Sequence, residues 1–168
     1  MLVTLDDIRA AAGRIRGLAR RTPIVDTDLS PVLALKCENL QPMGAFKIRG
    51  ACNMVALLSP AERAAGVITY SSGNHGQAVA LVARQFGIPA VIVMPETAPR
   101  VKIDGVRRYG AETLFAGTTL TDRRTCAEAE ARARGLTMVP PFDHPWIIAG
   151  AGTVGLEILE QRPQVTAV

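Results

Sequence analysis

The fold class of this chain is decided by the stretch Val67-Ile68-Thr69-Tyr70-Ser71-Ser72-Gly73-Asn74-His75-Gly76-Gln77. Its four apolar or β-branched residues predict a buried strand, and the polar, glycine-containing segment after them predicts a loop that opens a helix. Ligands bind at the carboxyl ends of parallel strands, where the next helix offers unpaired N–H groups. We expect Ser71–Gln77 to bind a carboxylate or a phosphate; the simpler alternative is a helix cap eased by glycines.

The same strand-and-helix alternation continues along the chain. Apolar, β-branched runs begin at Val67, Ala90, Thr113 and Leu136, and helical segments separate them. Strands that are apolar throughout and are joined by crossover helices predict a parallel βαβ sheet with helices on both faces. The expected fold class is therefore α/β.

Both ends of the chain carry further predictions. Thr4 is expected to cap a helix that ends near Arg20, and Val32–Cys37 is typical of a strand. Towards the other end, a helix over Thr153–Gln161 precedes Val165–Val168, which has the composition of the start of a strand.

Composition excludes several classes of protein. The chain has 168 residues, of which 48% are hydrophobic, so a buried core is expected rather than disorder. No apolar run approaches the roughly 20 residues of a spanning helix, and Asp6 and Asp7 are unlike a targeting signal, so we expect a cytoplasmic protein without membrane contacts. The net charge of +4 comes mainly from scattered arginines without interleaved aromatic residues, which argues against nucleic-acid binding.

Cysteine and histidine are too sparse for metal chemistry. Cys37, Cys52 and Cys126 are dispersed and odd in number, which fits neither a disulfide framework nor a zinc site, and we expect them to be small buried hydrophobic residues. His75 and His144 have no acidic neighbours at ligand spacing. No metal is expected.

A second candidate site is Gly44-Ala45-Phe46-Lys47-Ile48-Arg49-Gly50-Ala51. A lysine among small and apolar residues can lie in a dry pocket, where its amine becomes nucleophilic. Arginine supplies most of the 19 basic residues but cannot form a Schiff base, so the retained Lys47 is notable. An ordinary surface lysine is the alternative, and we expect that role for Lys36 and Lys102.

A third pattern, Gly150-Ala151-Gly152-Thr153-Val154-Gly155, matches the dinucleotide fingerprint G-x-G-x-x-G. The apolar run before it, Trp146–Ala149, is short for a central strand. The acidic residue expected about 20 positions later would fall at or beyond the last residue. A nicotinamide or flavin site is therefore the weaker alternative.

Several motifs, taken in order, resemble one enzyme family. They are Leu35-Lys36-Cys37-Glu38-Asn39-Leu40-Gln41-Pro42, Gly44–Ala51, Ser71–Gln77, Pro141-Phe142-Asp143 and Ile148–Thr153. Together they resemble the threonine/serine dehydratases and serine racemases, which are fold type II (β-family) pyridoxal-phosphate enzymes. The resemblance covers essentially the whole chain. It implies that the G-x-G-x-x-G pattern is an ordinary glycine-rich turn.

The resemblance implies a role for each motif residue. Pyridoxal 5′-phosphate would be held by Lys47, which would also act as the base at Cα of a small amino-acid substrate. Phe46 would lie against the cofactor, and Asn74 would hydrogen-bond its 3′-oxygen. The substrate carboxylate would be bound by Ser71, Ser72, Gly73 and His75. The implied reaction is dehydration of L-threonine or L-serine to a 2-oxo acid and ammonia.

Racemization remains the alternative reaction. A racemase needs a second acid/base opposite the lysine, and that branch of the family uses the serine corresponding to Ser72, which would make Ser72 catalytic. The chain departs from the family pattern in three places. Met43-Gly44-Ala45-Phe46-Lys47 replaces T-G-S-F-K, which bears on substrate choice. The stretch from Thr22 to Leu35 is several residues short, which bears on that surface, and Ala151 replaces a glutamine.

The resemblance also predicts a C-terminally truncated chain. The glycine run that binds the cofactor phosphate comes later in this family, so we expect weak cofactor binding by these 168 residues alone. Residues 1–65 would begin a large domain, 66–146 would form a complete small βαβ domain, and 147–168 would return into the incomplete large domain. A full-length form is expected to be a homo-oligomer, and a non-catalytic remnant or interaction subunit is the alternative for this chain.

Overall fold

The computed structural model of the chain describes residues 2–29 and 32–168. The elements, in order, are α1 (Leu5–Arg14), β1 (Ile24–Asp26), β2 (Ala34–Lys36), a 3-10 turn (Glu38–Leu40), α2 (Lys47–Ala56), α3 (Pro60–Ala65), β3 (Val67–Tyr70), α4 (Asn74–Phe86), β4 (Ala90–Met94), α5 (Arg100–Arg107), β5 (Glu112–Phe115), α6 (Leu120–Arg134), β6 (Thr137–Met138) and α7 (Pro145–Gln161).

Four parallel strands form the central sheet, in the order β5-β4-β3-β6. β3 lies between β4 and β6, with Val67 opposite both Ala90 and Thr137. All residues of β3 and β4 are buried. The predicted parallel α/β fold is confirmed.

Successive residues of a strand point to opposite faces of the sheet, so strands that are apolar throughout need packing on both faces. Two apolar cores supply this packing. Val67, Ile92 and Met94 belong to a large apolar core that includes residues of α2, α4 and α5. Ile68 and Val91 belong to a second core on the other side, which includes Ala127 of α6. This arrangement leaves the carboxyl ends of the strands, and the loops that follow them, at one edge.

Local signals set several element boundaries as the sequence predicts. Thr4 caps α1, and αL glycines end α4 and α6 at Gly87 and Gly135. α1 ends at Arg14, however, and the prediction of an end near Arg20 is wrong, because the chain turns through Gly17 at a φ of +81°.

The three cysteines differ in burial. Cys52 is buried as expected, and its burial raises the pKa of the thiol to about 12. Cys37 and Cys126 are only half-buried, so the expectation of burial is wrong for them.

The C-terminal region differs most from the sequence predictions. α7 is one continuous helix that contains Trp146–Ala149 and the whole of Gly150–Gly155. A dinucleotide fingerprint requires the glycines in a loop before a helix, so that interpretation is wrong, and so is the glycine-rich turn. Val165–Val168 is irregular rather than the start of a strand.

The glycines of α7 allow close helix packing instead. A Cβ on Gly150 would lie 2.5 Å from the carbonyl oxygen of Arg49 and 2.8 Å from Cα of Gly50, both in α2. A Cβ on Gly152 would meet Ile8 of α1 at 2.9 Å. Glycine, which has no Cβ, therefore lets α7 approach this closely at the two positions where it crosses α1 and α2.

A buried charge network ties α2 to α7 and to the β1–β2 region. The side chain of Arg49 is 1% exposed, and its guanidinium contacts Glu38 at 2.7 Å and Glu157 at 2.7 Å. Lys36 donates to Glu157 at 2.6 Å, so the expectation that Lys36 lies on the surface is wrong. Two cations and two carboxylates balance, and Thr22 adds a hydrogen bond to Glu38 at 2.6 Å.

No helix in the described part of the chain is long and apolar enough to cross a membrane.

Candidate active site

The loop Ser71–Gly73 joins the carboxyl end of β3 to α4, as the sequence predicts. The Ser71 N–H extends the sheet by donating to Val93 at 2.9 Å, and the Gly73 N–H donates to the Ser71 hydroxyl at 3.2 Å. Ser72 and Asn74 are exposed, whereas His75 at the first turn of α4 is buried. The loop thus presents its polar groups outward from a rigid strand.

The start of α4 differs from the starts of α1, α3 and α6. Those three helices begin with reciprocal capping boxes, formed by Thr4 with Asp7, Ser59 with Glu62 and Thr119 with Asp122. At α4 no described side chain caps the helix, and its N-cap residue is Gly73. The first N–H groups of a helix have no intrahelical acceptor, so α4 retains free donors and a positive dipole end. The N-terminus of α4 is therefore suited to an anion.

Lys47 is the first residue of α2. Its ammonium donates to the carbonyl oxygen of Pro141 at 2.9 Å and lies 5.3 Å from the centre of the Phe46 ring. Pro141 is buried, Lys47 is half-buried, and Phe46 is 41% exposed. The amine therefore lies at the border between the protein interior and solvent, beside an accessible aromatic face.

His75 lies behind the loop with its ring in the interior. Its exposed fraction is 4%, and Nε2 is 3.1 Å from the carbonyl oxygen of Val139. Burial, with a smaller contribution from the charge of Lys47, lowers the pKa of His75 to about 4, so the ring is neutral near pH 7. A carbonyl can only accept, so Nε2 carries the proton and Nδ1 is a lone pair. Within the described chain, this Nδ1 has no hydrogen-bond partner.

The segment Val139–Pro141 brings the two predicted motifs together. It follows β6 at the carboxyl edge of the sheet and accepts hydrogen bonds from Lys47 of one motif and from His75 of the other. The electrostatic influence of Lys47 on His75 agrees with this proximity.

An open cleft of about 750 Å³ borders the same motifs. Its wall includes Met43 and Gly44 from before Lys47, and Asn74 and Gln77 from the start of α4. Lys102 of α5 also lines it and donates to the Asn74 amide oxygen at 3.3 Å. Sequence reasoning assigned Lys102 to the surface and missed this contact. The one available signal was that Lys102 is among the few lysines.

Comparison with known proteins shows which family the chain belongs to. Residues 15–168 match the family model described as pyridoxal-phosphate dependent enzyme. The chain belongs to that family. It is 43% identical to serine racemase of Schizosaccharomyces pombe over 96% of this chain and 51% of the relative. It is 44% identical to L-threonine ammonia-lyase of Thermotoga maritima over 99% of this chain and 43% of the relative.

A solved structure agrees. The structure of maize serine racemase superposes with a TM-score of 0.94 at 38% identity, covering 98% of this chain and 51% of that one. This pyridoxal-phosphate family member therefore has the fold type II architecture that the resemblance predicted. The chain spans about half the length of the curated relatives that it matches.

The residues present fit the family's cofactor, pyridoxal phosphate. An aldehyde cofactor needs a primary amine, and Lys47 supplies one that is half-buried. A flat pyridine ring needs an apolar face and polar edge contacts, and the exposed ring of Phe46 and the exposed amide of Asn74 have those properties. Asn74 lines the cleft, as do Met43 and Gly44, which precede Lys47 in the sequence.

Proposed function

We propose that this chain is the lysine-bearing part of a pyridoxal-phosphate dehydratase, an ammonia-lyase that converts L-threonine or L-serine to a 2-oxo acid and ammonia. The observation that carries the proposal is the junction of Lys47 and the uncapped start of α4 at Val139–Pro141. A reaction at Cα of an amino acid needs a base near Cα and an anion site for the carboxylate. Here an amine and an anion-binding helix start share one segment.

Lys47 and its neighbours would hold the cofactor and move the proton. When bound, pyridoxal phosphate draws electrons away from Cα of the substrate. Lys47 would attach the cofactor and, once displaced by substrate, take the proton at Cα. Phe46 would lie against the cofactor ring, and the Asn74 amide would donate to its 3′-oxygen.

The loop before α4 would hold the substrate carboxylate. The proposed contacts come from Ser71, Ser72, Gly73 and His75. The first two residues offer hydroxyls, and His75 offers its backbone N–H at the start of a helix dipole. The Gly73 N–H, which donates to the Ser71 hydroxyl, would exchange that acceptor for the carboxylate. His75 would act through its backbone because its ring donates to Val139 in the interior. Fixing the carboxylate here orients the rest of the substrate relative to Lys47.

Selective labelling of lysine tests this proposal. The chain is treated with pyridoxal phosphate, reduced with borohydride and digested, and the modified lysines are mapped by mass spectrometry. We expect Lys47 to carry the label and the Lys102→Met variant to be labelled equally well. Equal labelling of Lys47 and Lys102, or labelling at Lys36 instead, would contradict the proposal. Formation of a 2-oxo acid from L-threonine is the activity assay.

Racemization of serine is the second candidate function, and Ser72 is the residue that favours it. Its hydroxyl is exposed on the loop and makes no hydrogen bond to any residue in the described ranges, so it is free to exchange a proton at Cα. We expect Ser72→Ala to lose any formation of D-serine, whereas 2-oxo acid formation should persist with a raised KM because one contact to the substrate carboxylate is removed. Unchanged D-serine formation by Ser72→Ala would exclude Ser72 as the second acid/base.

A further inference from the structure

The side chains of Val139 and Pro141 are buried, but few main-chain hydrogen bonds fix the orientation of this segment's carbonyl groups. β6 has only two residues, and the Val139 N–H makes the last main-chain bond to β3, donating to Ile68 at 2.8 Å. Pro140 and Pro141 have no N–H to donate. The carbonyl oxygens of this segment are therefore held from outside, by Lys47 at Pro141 and by His75 at Val139.

The His75 ring is suited to be the fixed one of these two donors. It is a rigid, buried side chain on the first turn of α4, which is packed against the sheet, whereas Lys47 has a flexible stem and is half-buried. Because the ring is neutral, its contact with Val139 places no second positive charge beside the Lys47 ammonium. A cationic ring there would repel that ammonium.

We propose that the His75 imidazole is a positioning residue for Lys47: by donating Nε2–H to Val139 it fixes the segment whose Pro141 carbonyl receives the Lys47 amine. This inference deepens the proposed function and rests on it for the meaning of Lys47. It separates two roles of one residue, since the backbone N–H of His75 serves the substrate side and its ring serves the lysine from behind. The ring itself touches neither substrate nor cofactor.

The reactivity of the three lysines in the cofactor-free chain provides a direct measurement. Trace acetylation from pH 7 to pH 11, quantified for each lysine by mass spectrometry, reports the pKa and the accessibility of every amine in one sample. Lys102 is a reference on an accessible helix, and Lys36 is a reference in a buried ion pair. The variants are His75→Leu, which removes the donor, and His75→Gln, whose Nε2 can replace it. The control is His144→Gln, at the other histidine.

We expect His75→Leu to raise the acetylation rate of Lys47 roughly three- to tenfold, the range that corresponds to loss of one hydrogen bond. Lys36 and Lys102 should keep their wild-type rates. His75→Gln should restore the wild-type rate and pH profile of Lys47, and His144→Gln should not change them. An unchanged Lys47 rate in a folded His75→Leu chain, or no rescue by His75→Gln, would overturn the proposal.

A measurement on the unmodified chain guards against a variant that fails to fold. Nitrogen-15 spectra of the His75 ring should show the Nε2–H tautomer, and the Nδ1–H tautomer would overturn the proposal without any substitution. The outcome is distinct from that of the proposed function. If pyridoxal phosphate labels Lys47 but His75 does not control its reactivity, this inference alone fails. If the label falls elsewhere while His75 still controls Lys47, the proposed function alone fails.

Discussion

The two ends of one short stretch, Lys47 and Arg49, lie in regions that treat polar atoms in opposite ways. Arg49 is enclosed, and every nitrogen of its guanidinium is hydrogen-bonded, to Glu38, Glu157, Thr153 or the Arg20 carbonyl. Among the described residues, Lys47, two positions earlier, has a single carbonyl acceptor, and it lies near an uncapped helix start. Saturated polar groups hold the fold together, and unsaturated ones remain available for a ligand.

Removing the Arg49 guanidinium from its buried, fully hydrogen-bonded network should lower the free energy of unfolding more than any of the other changes. We expect Arg49→Met to lower the free energy of unfolding by about 3–5 kcal/mol, because Glu38 and Glu157 would lose their common partner while remaining largely buried. Urea unfolding measures the change. Arg134→Met is the matched control, since it removes an exposed pair with Glu112 and should cost less than about 1 kcal/mol. Equal losses in both variants would refute the distinction.

The candidate site and the Arg49 network should lose their contributions to stability in different pH ranges. Burial lowers the pKa of His75 from its ordinary value of 6.5 to about 4 in the folded chain. As the pH falls, the unfolded chain therefore becomes protonated at His75 before the folded chain does. The contribution of His75, roughly 3 kcal/mol, is complete above pH 6.5 and is lost as the pH falls to about 4. Burial alone would raise the pKa of Glu38 and Glu157, but hydrogen bonds from Arg49 hold it below the ordinary 4.5. The stability that these two carboxylates contribute is therefore complete above about pH 4.5 and is lost below it.

Urea unfolding at a series of pH values checks this order. His75→Gln should remove most of the loss of stability between pH 6.5 and 4. Burial also lowers the pKa of His144, so His144→Gln should remove a smaller part of the same loss. A wild-type chain whose stability is constant across that window would show that the His75 ring is not held neutral by burial.

Close packing of α7 on α2 gives a smaller expected effect. Gly150→Ala places a methyl group against the Arg49 carbonyl and Asn53, and we expect a loss of about 1–3 kcal/mol. Gly155→Ala, in the same helix, meets no described atom within 4 Å and should stabilise the chain by up to about 1 kcal/mol. Thermal melts of both variants measure the difference. Two changes of the same sign would contradict the packing argument.

Substitution at the candidate site should change stability least. Asn74→Ala alters an exposed side chain whose contact is one long hydrogen bond from Lys102, and we expect a change within about 0.5 kcal/mol. Its effect on function should be larger, because labelling of Lys47 by pyridoxal phosphate should weaken while urea unfolding remains the same. A loss of stability comparable to that of Arg49→Met would place Asn74 in the saturated region.

Prediction from sequence succeeded where local chemistry decides the structure. β3 has the predicted bounds and β4 begins at the predicted Ala90, because buried parallel strands are apolar at every position, and capping residues set the start of α1. β1 was missed because it is a three-residue strand, mostly exposed, that carries little periodicity. α7 was misread because its glycines are selected by contact with α1 and α2, which are far away in sequence.

The candidate site shows the same limit. Its motif residues were found from sequence because polar and glycine residues following an apolar strand are a local signal. The partners of Lys47, His75 and Arg49 could not be found in that way, since they are Pro141, Val139 and Glu157 respectively, each more than 60 residues distant. Burial of the His75 ring likewise depends on how β6 and α4 come together.

The sheet order makes assembly of this site expensive in chain entropy. Val67 meets Ala90 when β4 pairs with β3, but it meets Thr137 only when β6 is added at the other side. The second pairing closes a loop roughly three times as long, at an additional cost of about 1 kcal/mol. With two residues, β6 has few main-chain bonds to offset that cost. Lys47 therefore gains its acceptor only through the most remote pairing of the sheet, so an incompletely folded chain keeps its nucleophile without a fixed position.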